Sequence, residues 1–143
     1  MITCATHERR RFFQAHSNAS LMCDTLQHYR SQGKYQLHAY VVMPDHIHVL
    51  LTPSPEVSLE KAVQCIKGGF SFRLRSRAEV WGRGRFDRRI GSGSDYEACV
   101  RYIHQNPVRA RLAISSEEFL FSSARGTHDV DPAPDWFVLS IQG

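Results

Sequence analysis

Two histidines, His46 and His48, stand two residues apart in the run Val41-Val42-Met43-Pro44-Asp45-His46-Ile47-His48-Val49-Leu50. In a strand, residues i and i+2 leave the same face of the sheet, so both imidazoles project together while Ile47 and Val49 turn away. Two convergent imidazoles are half of a site for a divalent cation. The turn at Pro44-Asp45 puts the pair at a strand start, where a ligand can approach. Taken alone, the pair reads equally as two histidines on a solvated sheet face. Apolar residues crowd it on both sides, however, and a polar pair in such surroundings needs partners, which an ion would supply.

A second set follows in Tyr102-Ile103-His104-Gln105-Asn106-Pro107. On a helix, Tyr102 and Asn106 lie one turn apart and share a face, whereas His104 and Tyr96 point elsewhere. An amide oxygen from Asn106 can complete a His-His-Asn site and put Tyr102 beside the ion. Two imidazoles, one amide and open positions suit Mg²⁺ or Mn²⁺ carrying phosphate oxygens of a substrate. The plainer alternative is a helix-end tyrosine packed on a sheet, with Asn106 as a cap.

The elements that must position these residues follow from the pattern. Residues 2–6 read as a first strand, and residues 18–32 as a helix capped by Asn18 or Ser20 and ended by Gly33. Tyr35–Met43 and residues 46–52 form a hairpin around Pro44-Asp45. A second helix, residues 58–77, has Ser58 as its cap; Gly68-Gly69 within it predicts a kink or a close backbone approach. Residues 81–90 are extended. Asp95 caps a third helix that runs to Asn106 and is limited by Pro107. The tail from about residue 125 is irregular. The order β-α-β-β-α-β-α predicts one domain over residues 1–143: an α+β fold with three or four antiparallel strands and helices on one face, ferredoxin-like or RRM-like.

Composition narrows the partners. The chain has 143 residues, 42% of them hydrophobic and 22% charged, which suits one globular domain rather than a disordered chain. No apolar run approaches the roughly 20 residues that cross a bilayer, and the N-terminus lacks a signal-peptide pattern, so a cytoplasmic protein is expected. Cys4, Cys23, Cys65 and Cys99 form no CxxC pair, which argues against a zinc knuckle and for reduced core residues. The net charge is +4, and Lys34, Lys61 and Lys67 are its only lysines. A compact set, Arg73, Arg75, Arg77, Arg83, Arg85, Arg88 and Arg89, interleaves with Phe72, Trp81 and Phe86. Cations for phosphates and flat rings for bases suit a strand of nucleic acid. Composition alone leaves a merely solvated arginine-rich face equally open.

The stretch from His38 to Leu51, with His46-Ile47-His48 at its heart, resembles the HUH motif (His, hydrophobic, His) of the IS200-like, or Y1, transposases. Tyr102-Ile103-His104-Gln105-Asn106-Pro107-Val108-Arg109-Ala110 resembles the tyrosine-bearing helix of the same family, in the form found in its REP-associated branch. Further matches lie at Thr6-His7-Glu8-Arg9-Arg10, between Trp81 and Ile90, and at Phe121-Ser122-Ser123, so the likeness spans residues 2–124. Two departures stand out: the first strand begins almost at the first residue, and Arg111 occupies a position that is usually glycine.

The resemblance implies a metal-dependent enzyme that cuts and rejoins single-stranded DNA. Tyr102 attacks a scissile phosphate, leaving a 5′-phosphotyrosine and a free 3′-OH, while Mg²⁺ or Mn²⁺ is held by His46, His48 and Asn106. Arg73, Arg75, Arg83, Arg85 and Arg88 are candidates for binding the strand or a hairpin in it. The resemblance leaves two assemblies open, a homodimer as in the insertion-sequence branch and a monomer as in the REP-associated branch. Activity should fall below about pH 6 as the imidazoles protonate. Two other readings stay open: an RRM-like nucleic-acid-binding module without chemistry, and a metal-dependent nuclease in which water attacks.

Overall fold

The computed structural model describes residues 1–75 and 78–134. Among these, β1 (Ile2–Ala5), α1 (His16–Ser31), β2 (Tyr35–Met43), β3 (His46–Pro53), α2 (Leu59–Leu74), β4 (Phe86–Asp87) and α3 (Gly93–Arg109) follow one another along the chain. The strands form one antiparallel sheet in the order β2-β3-β1-β4. With α1 and α2 as the crossovers, this is the ferredoxin-like arrangement expected from the sequence.

Strand alternation creates two cores. Ile2, Cys4, Tyr40, Val42, Ile47 and Val49 face α1 and α2 and meet Met22, Leu26, Ile66 and Phe70. Ala39, Val41, Met43 and Leu50 point the other way, onto Cys99 and Ile103 of α3. The helices therefore do not share one face, as the sequence suggested: α3 covers the opposite side. The reason is legible in β2, which is buried at nearly every position and so needs apolar cover on both faces. Ile103 is fully buried, and burying such a side chain contributes about 1.5–3 kcal/mol, which helps hold α3 down.

Several boundaries moved for identifiable reasons. Helix α1 begins at His16, because Asn18 reaches back to the Phe12 carbonyl (3.0 Å) instead of capping. In α2, the Ser58 hydroxyl accepts from the Lys61 N–H as expected. That helix runs unbroken through Gly68-Gly69; a Cβ at Gly69 would fall 2.3 Å from the Tyr29 hydroxyl, so the glycine serves close helix packing and not a kink. It ends at Leu74, and residue 77, its expected end, lies outside the described residues, as does the tail beyond 134. Of the extended 81–90 stretch only Phe86–Asp87 pairs as a strand, and Trp81 adds a single bridge to Thr6. Ser92, not Asp95, caps α3, accepting from the Asp95 N–H (3.2 Å). Pro107 lies inside α3, near its end, where a missing N–H removes only one late hydrogen bond.

Beyond α3, Arg111 adopts a left-handed conformation (φ 59°) and donates its N–H to Val108. This is the position at which a helix end favours glycine. Arg111→Gly is therefore expected to raise stability by about 1 kcal/mol, read as a higher urea midpoint at unchanged slope. No gain would mean that the arginine side chain compensates the backbone.

The outer edge of β2 is covered by the chain's own later residues. Phe121 accepts from the Val42 N–H (2.8 Å), Ser123 Oγ accepts from the Tyr40 N–H (3.0 Å), and Asp131 exchanges two hydrogen bonds with Leu37 (2.7 Å each). Arg30 of α1 grips the Asp131 carboxylate through Nε and Nη2, both at 3.0 Å.

Candidate metal and nucleophile site

The β1–β3 register sets Thr3 opposite His48 and Ala5 opposite His46, on the face that α3 covers only in part. The two imidazoles converge as the spacing required, with ring centroids 4.8 Å apart. The Tyr102 ring of α3 meets His48 edge-on at 5.4 Å. Tyr102 stays 38% exposed, so a large substrate can reach it. Asn106 lies one turn further along α3 and is half-buried. His104 instead bonds Ser123 Oγ, and Tyr96 packs against His38, so both stand apart from the pair as expected.

Each imidazole is anchored through Nδ1. His46 Nδ1 lies 2.7 Å from Asp45 Oδ1, and His48 Nδ1 lies 2.8 Å from the Thr3 hydroxyl. Burial by itself pushes the Asp45 carboxyl up, but its hydrogen bond to His46 and the nearby Arg9 charge together hold it below the usual range. It is thus an ionised acceptor. His46 must carry its proton on Nδ1, which leaves the Nε2 lone pair for an ion. Arg9, itself in a left-handed conformation (φ 56°), ties the other Asp45 oxygen at 3.2 Å. Burial drives the His48 pKa down to about 4, assisted by the neighbouring His46 and Arg9 charges. His48 is therefore neutral, as ligation demands, well below pH 6. An acid limit near pH 6 would have to arise from another group.

The donor set fits a divalent ion: two imidazoles, that of His46 with its tautomer set by the Asp45 carboxylate and that of His48 held by the Thr3 hydroxyl, and an amide on the Tyr102 face of α3. Among the described residues no three His, Cys, Asp or Glu side chains cluster. Asp45→Asn keeps the shape but makes the acceptor neutral and ambiguous. We expect it to weaken Mn²⁺ binding by about 10- to 100-fold in calorimetry, with the thermal midpoint of the metal-free protein little changed. Unaltered affinity would show that Asp45 does not orient the ligand.

His38, His48 and His104 all have pKa values lowered chiefly by burial. Unfolding restores each to about 6.5, so the unfolded chain takes up more protons as the pH falls. Their contribution is complete above about pH 6.5 and is lost as acidification approaches the lower folded values, near pH 4 for His48. Metal-free protein should show a thermal midpoint that drops steadily from pH 7 to pH 4.5. A flat profile would contradict burial of neutral imidazoles.

The arginines separate into groups. Arg73 and Arg75 belong to the end of α2, which packs on the other face of the sheet. Arg85 is committed to Asp87 (2.9 Å) and to Glu60 of α2 (3.1 Å). Arg83 and Arg88 are exposed on either side of the site: Arg83 lines a concavity of about 390 Å³ with Thr3 and Arg9, and Arg88 lines a cleft of about 360 Å³ with Tyr102. That cleft also contains Arg101 and Arg109, neither of which the sequence reading singled out. The Arg109 guanidinium lies over the Tyr102 ring at 5.4 Å; its position seven residues on, two helical turns along the same face, was the available signal. Asp45 and Thr3 were missed as well. Adjacency to His46 pointed to the first, while only strand register reveals the second.

Two neighbouring imidazoles and a helix-borne, partly exposed tyrosine thus meet on a sheet face that α3 leaves partly open. Residues 1–106 match the family model described as "Transposase IS200 like", and the chain belongs to that family of transposases. Among solved structures it is similar to a REP-associated tyrosine transposase bound to a REP hairpin, with a TM-score of 0.74 and 23% identity over 94% of this chain and 84% of that one. It is also similar to a candidate transposase from Deinococcus radiodurans, with a TM-score of 0.52 and 18% identity over 78% and 88%. At these identities the likeness is one of fold. No curated protein matches the chain. No helix among the described residues is long and apolar enough to cross a membrane.

Proposed function

We propose that the protein cuts and rejoins single-stranded DNA, with Tyr102 as the nucleophile and His46, His48 and Asn106 as the ligands of Mg²⁺ or Mn²⁺. The observation that carries this reading is the edge contact of Tyr102 with His48, which joins the tyrosine to the imidazole pair across two elements distant in sequence. A divalent ion there would polarise the scissile phosphate and offset the charge that gathers on its oxygens.

The chain's own residues do the rest. Asp45 and Thr3 hold the two imidazoles through their Nδ1 atoms. The Tyr102 hydroxyl gives up its proton and forms the Oη–P bond as the P–O3′ bond breaks. The O3′ departs as a hydroxyl, and the 5′ end stays on the tyrosine. Because this phosphodiester keeps the energy of the broken linkage, another 3′-OH can reverse the step without ATP. Arg109 over the ring face, and Arg88 and Arg101 in the adjoining cleft, supply cations for the phosphates on either side. The hairpin named with the REP-associated neighbour supports a structured single strand as substrate.

The test is a covalent one. Protein incubated with Mn²⁺ and hairpin-bearing single-stranded oligonucleotides should give an adduct that survives SDS. Binding without any adduct or cleavage would favour a binding module.

A further inference from the structure

We propose that Phe86, with Arg83 and Arg9 beside it, forms a stacking subsite for one base of the bound strand, two strands away from His48. The proposal rests on the single-stranded DNA reading above and adds to it a residue that selects for bases rather than phosphates.

Strand register gives the position. Thr3 of β1 lies opposite His48 on one side and opposite Phe86 on the other, and directly opposed residues share a face. His48, Thr3 and Phe86 therefore form a row across the sheet on the site face. Adjacent strands are about 4.8 Å apart, so Phe86 stands roughly 10 Å from His48, within reach of a base close to the scissile phosphate. The residues flanking Phe86 confirm its orientation. Arg85 and Asp87 pair with each other, and Arg85 also reaches Glu60 of α2, on the opposite face.

The surroundings suit a base. Phe86 is 63% exposed, whereas the other aromatic residues of the arginine-rich set are placed elsewhere: Trp81 is buried and Phe72 sits on α2. A lone exposed phenylalanine would need no explanation. This one lines a concavity of about 390 Å³ together with the small residues Thr3, Ala5 and Gly84 and with Arg9, Arg83 and Arg85. Of these, Arg9 also pairs with Asp45, and Arg85 with Asp87 and Glu60. An exposed flat ring and the exposed Arg83 lining the same concavity match what a nucleotide offers: a base to stack and a phosphate to neutralise.

The test needs no knowledge of the target sequence. Affinities are measured for a deoxythymidine oligomer and for its abasic counterpart, which keeps the phosphates and lacks the bases. The wild type should prefer the oligomer with bases by about 5- to 100-fold. Phe86→Ala should lose most of that preference, Phe86→Trp should keep it, and Phe86→Leu should not restore it. Arg83→Ala should weaken both oligomers alike, with a salt slope shallower by about one. The proposal is overturned if the wild type shows no base preference, if Phe86→Ala retains it, or if leucine serves as well as tryptophan. An Arg83→Ala variant that binds both oligomers unchanged would remove Arg83 from the subsite. Adduct formation through Tyr102 is scored separately: an adduct in Phe86→Ala with unaltered base preference sinks the subsite alone, whereas a Phe86-dependent preference without any adduct sinks the chemistry alone.

Discussion

Tyr102→Phe should abolish the covalent protein–DNA adduct and lower strand cleavage by about 10⁴-fold or more, since the proposed phosphotyrosine forms through the Tyr102 phenol oxygen. The variant loses one oxygen and nothing else. Its ring still meets the edge of His48 and still lies beneath the Arg109 guanidinium, both contacts of the ring itself. The hydroxyl belongs to a partly exposed side chain, so stability should shift by less than about 0.5 kcal/mol. Mn²⁺ affinity and DNA affinity should stay near the wild-type values. Gel analysis of the adduct, alongside cleavage of end-labelled DNA, separates the possible chemistries. Cleavage that persists without an adduct would mean that water attacks and that Tyr102 only lines the site.

His48→Ala is expected to act on binding and chemistry together. Removing one of two imidazole ligands should reduce Mn²⁺ affinity by about 100-fold or more, and cleavage should fall with it. His48 is only 5% exposed, so the substitution also leaves a small cavity and strips the Thr3 hydroxyl of its partner, at a cost of about 1–3 kcal/mol. A distinctive second readout comes from its depressed pKa. Once His48 is gone, the loss of stability between pH 6.5 and pH 4 should become shallower, because one buried neutral imidazole no longer opposes protonation. Full metal affinity in His48→Ala would remove the imidazole pair from the metal site.

The sequence was most informative where local periodicity alone sets geometry. The i, i+2 spacing of His46 and His48 fixed their common face before any tertiary contact was known, and the i, i+4 spacing of Tyr102 and Asn106 did the same on α3. Tertiary facts were harder to read. That α3 crosses the face opposite α1 and α2 depends on β2 being apolar on both sides, a pattern that also suits a strand buried by other means. The contact between Thr3 and His48 requires the β1–β3 register, which no local rule provides. Arg85 illustrates the converse. As a type and position it looked like a phosphate ligand, yet its engagement by Glu60 and Asp87 depends on how α2 lies against the sheet edge. Arg111 showed the opposite benefit: a residue out of step with its family marked a left-handed backbone position that the structure then accounted for.

The covered edge of β2 has a consequence for how copies of the chain can associate. An open edge strand is a template on which a second molecule adds its own strand, whether in a specific dimer or in aggregation. Here the main-chain groups of Leu37, Tyr40 and Val42 are already engaged by Asp131, Ser123 and Phe121. Sheet extension between two copies at this edge would first have to peel away the segment that Arg30 holds by its carboxylate. Self-association through some other surface faces no such competition, and the Arg30–Asp131 clasp thereby acts as a guard on the quaternary structure as well as a fastening for the tail.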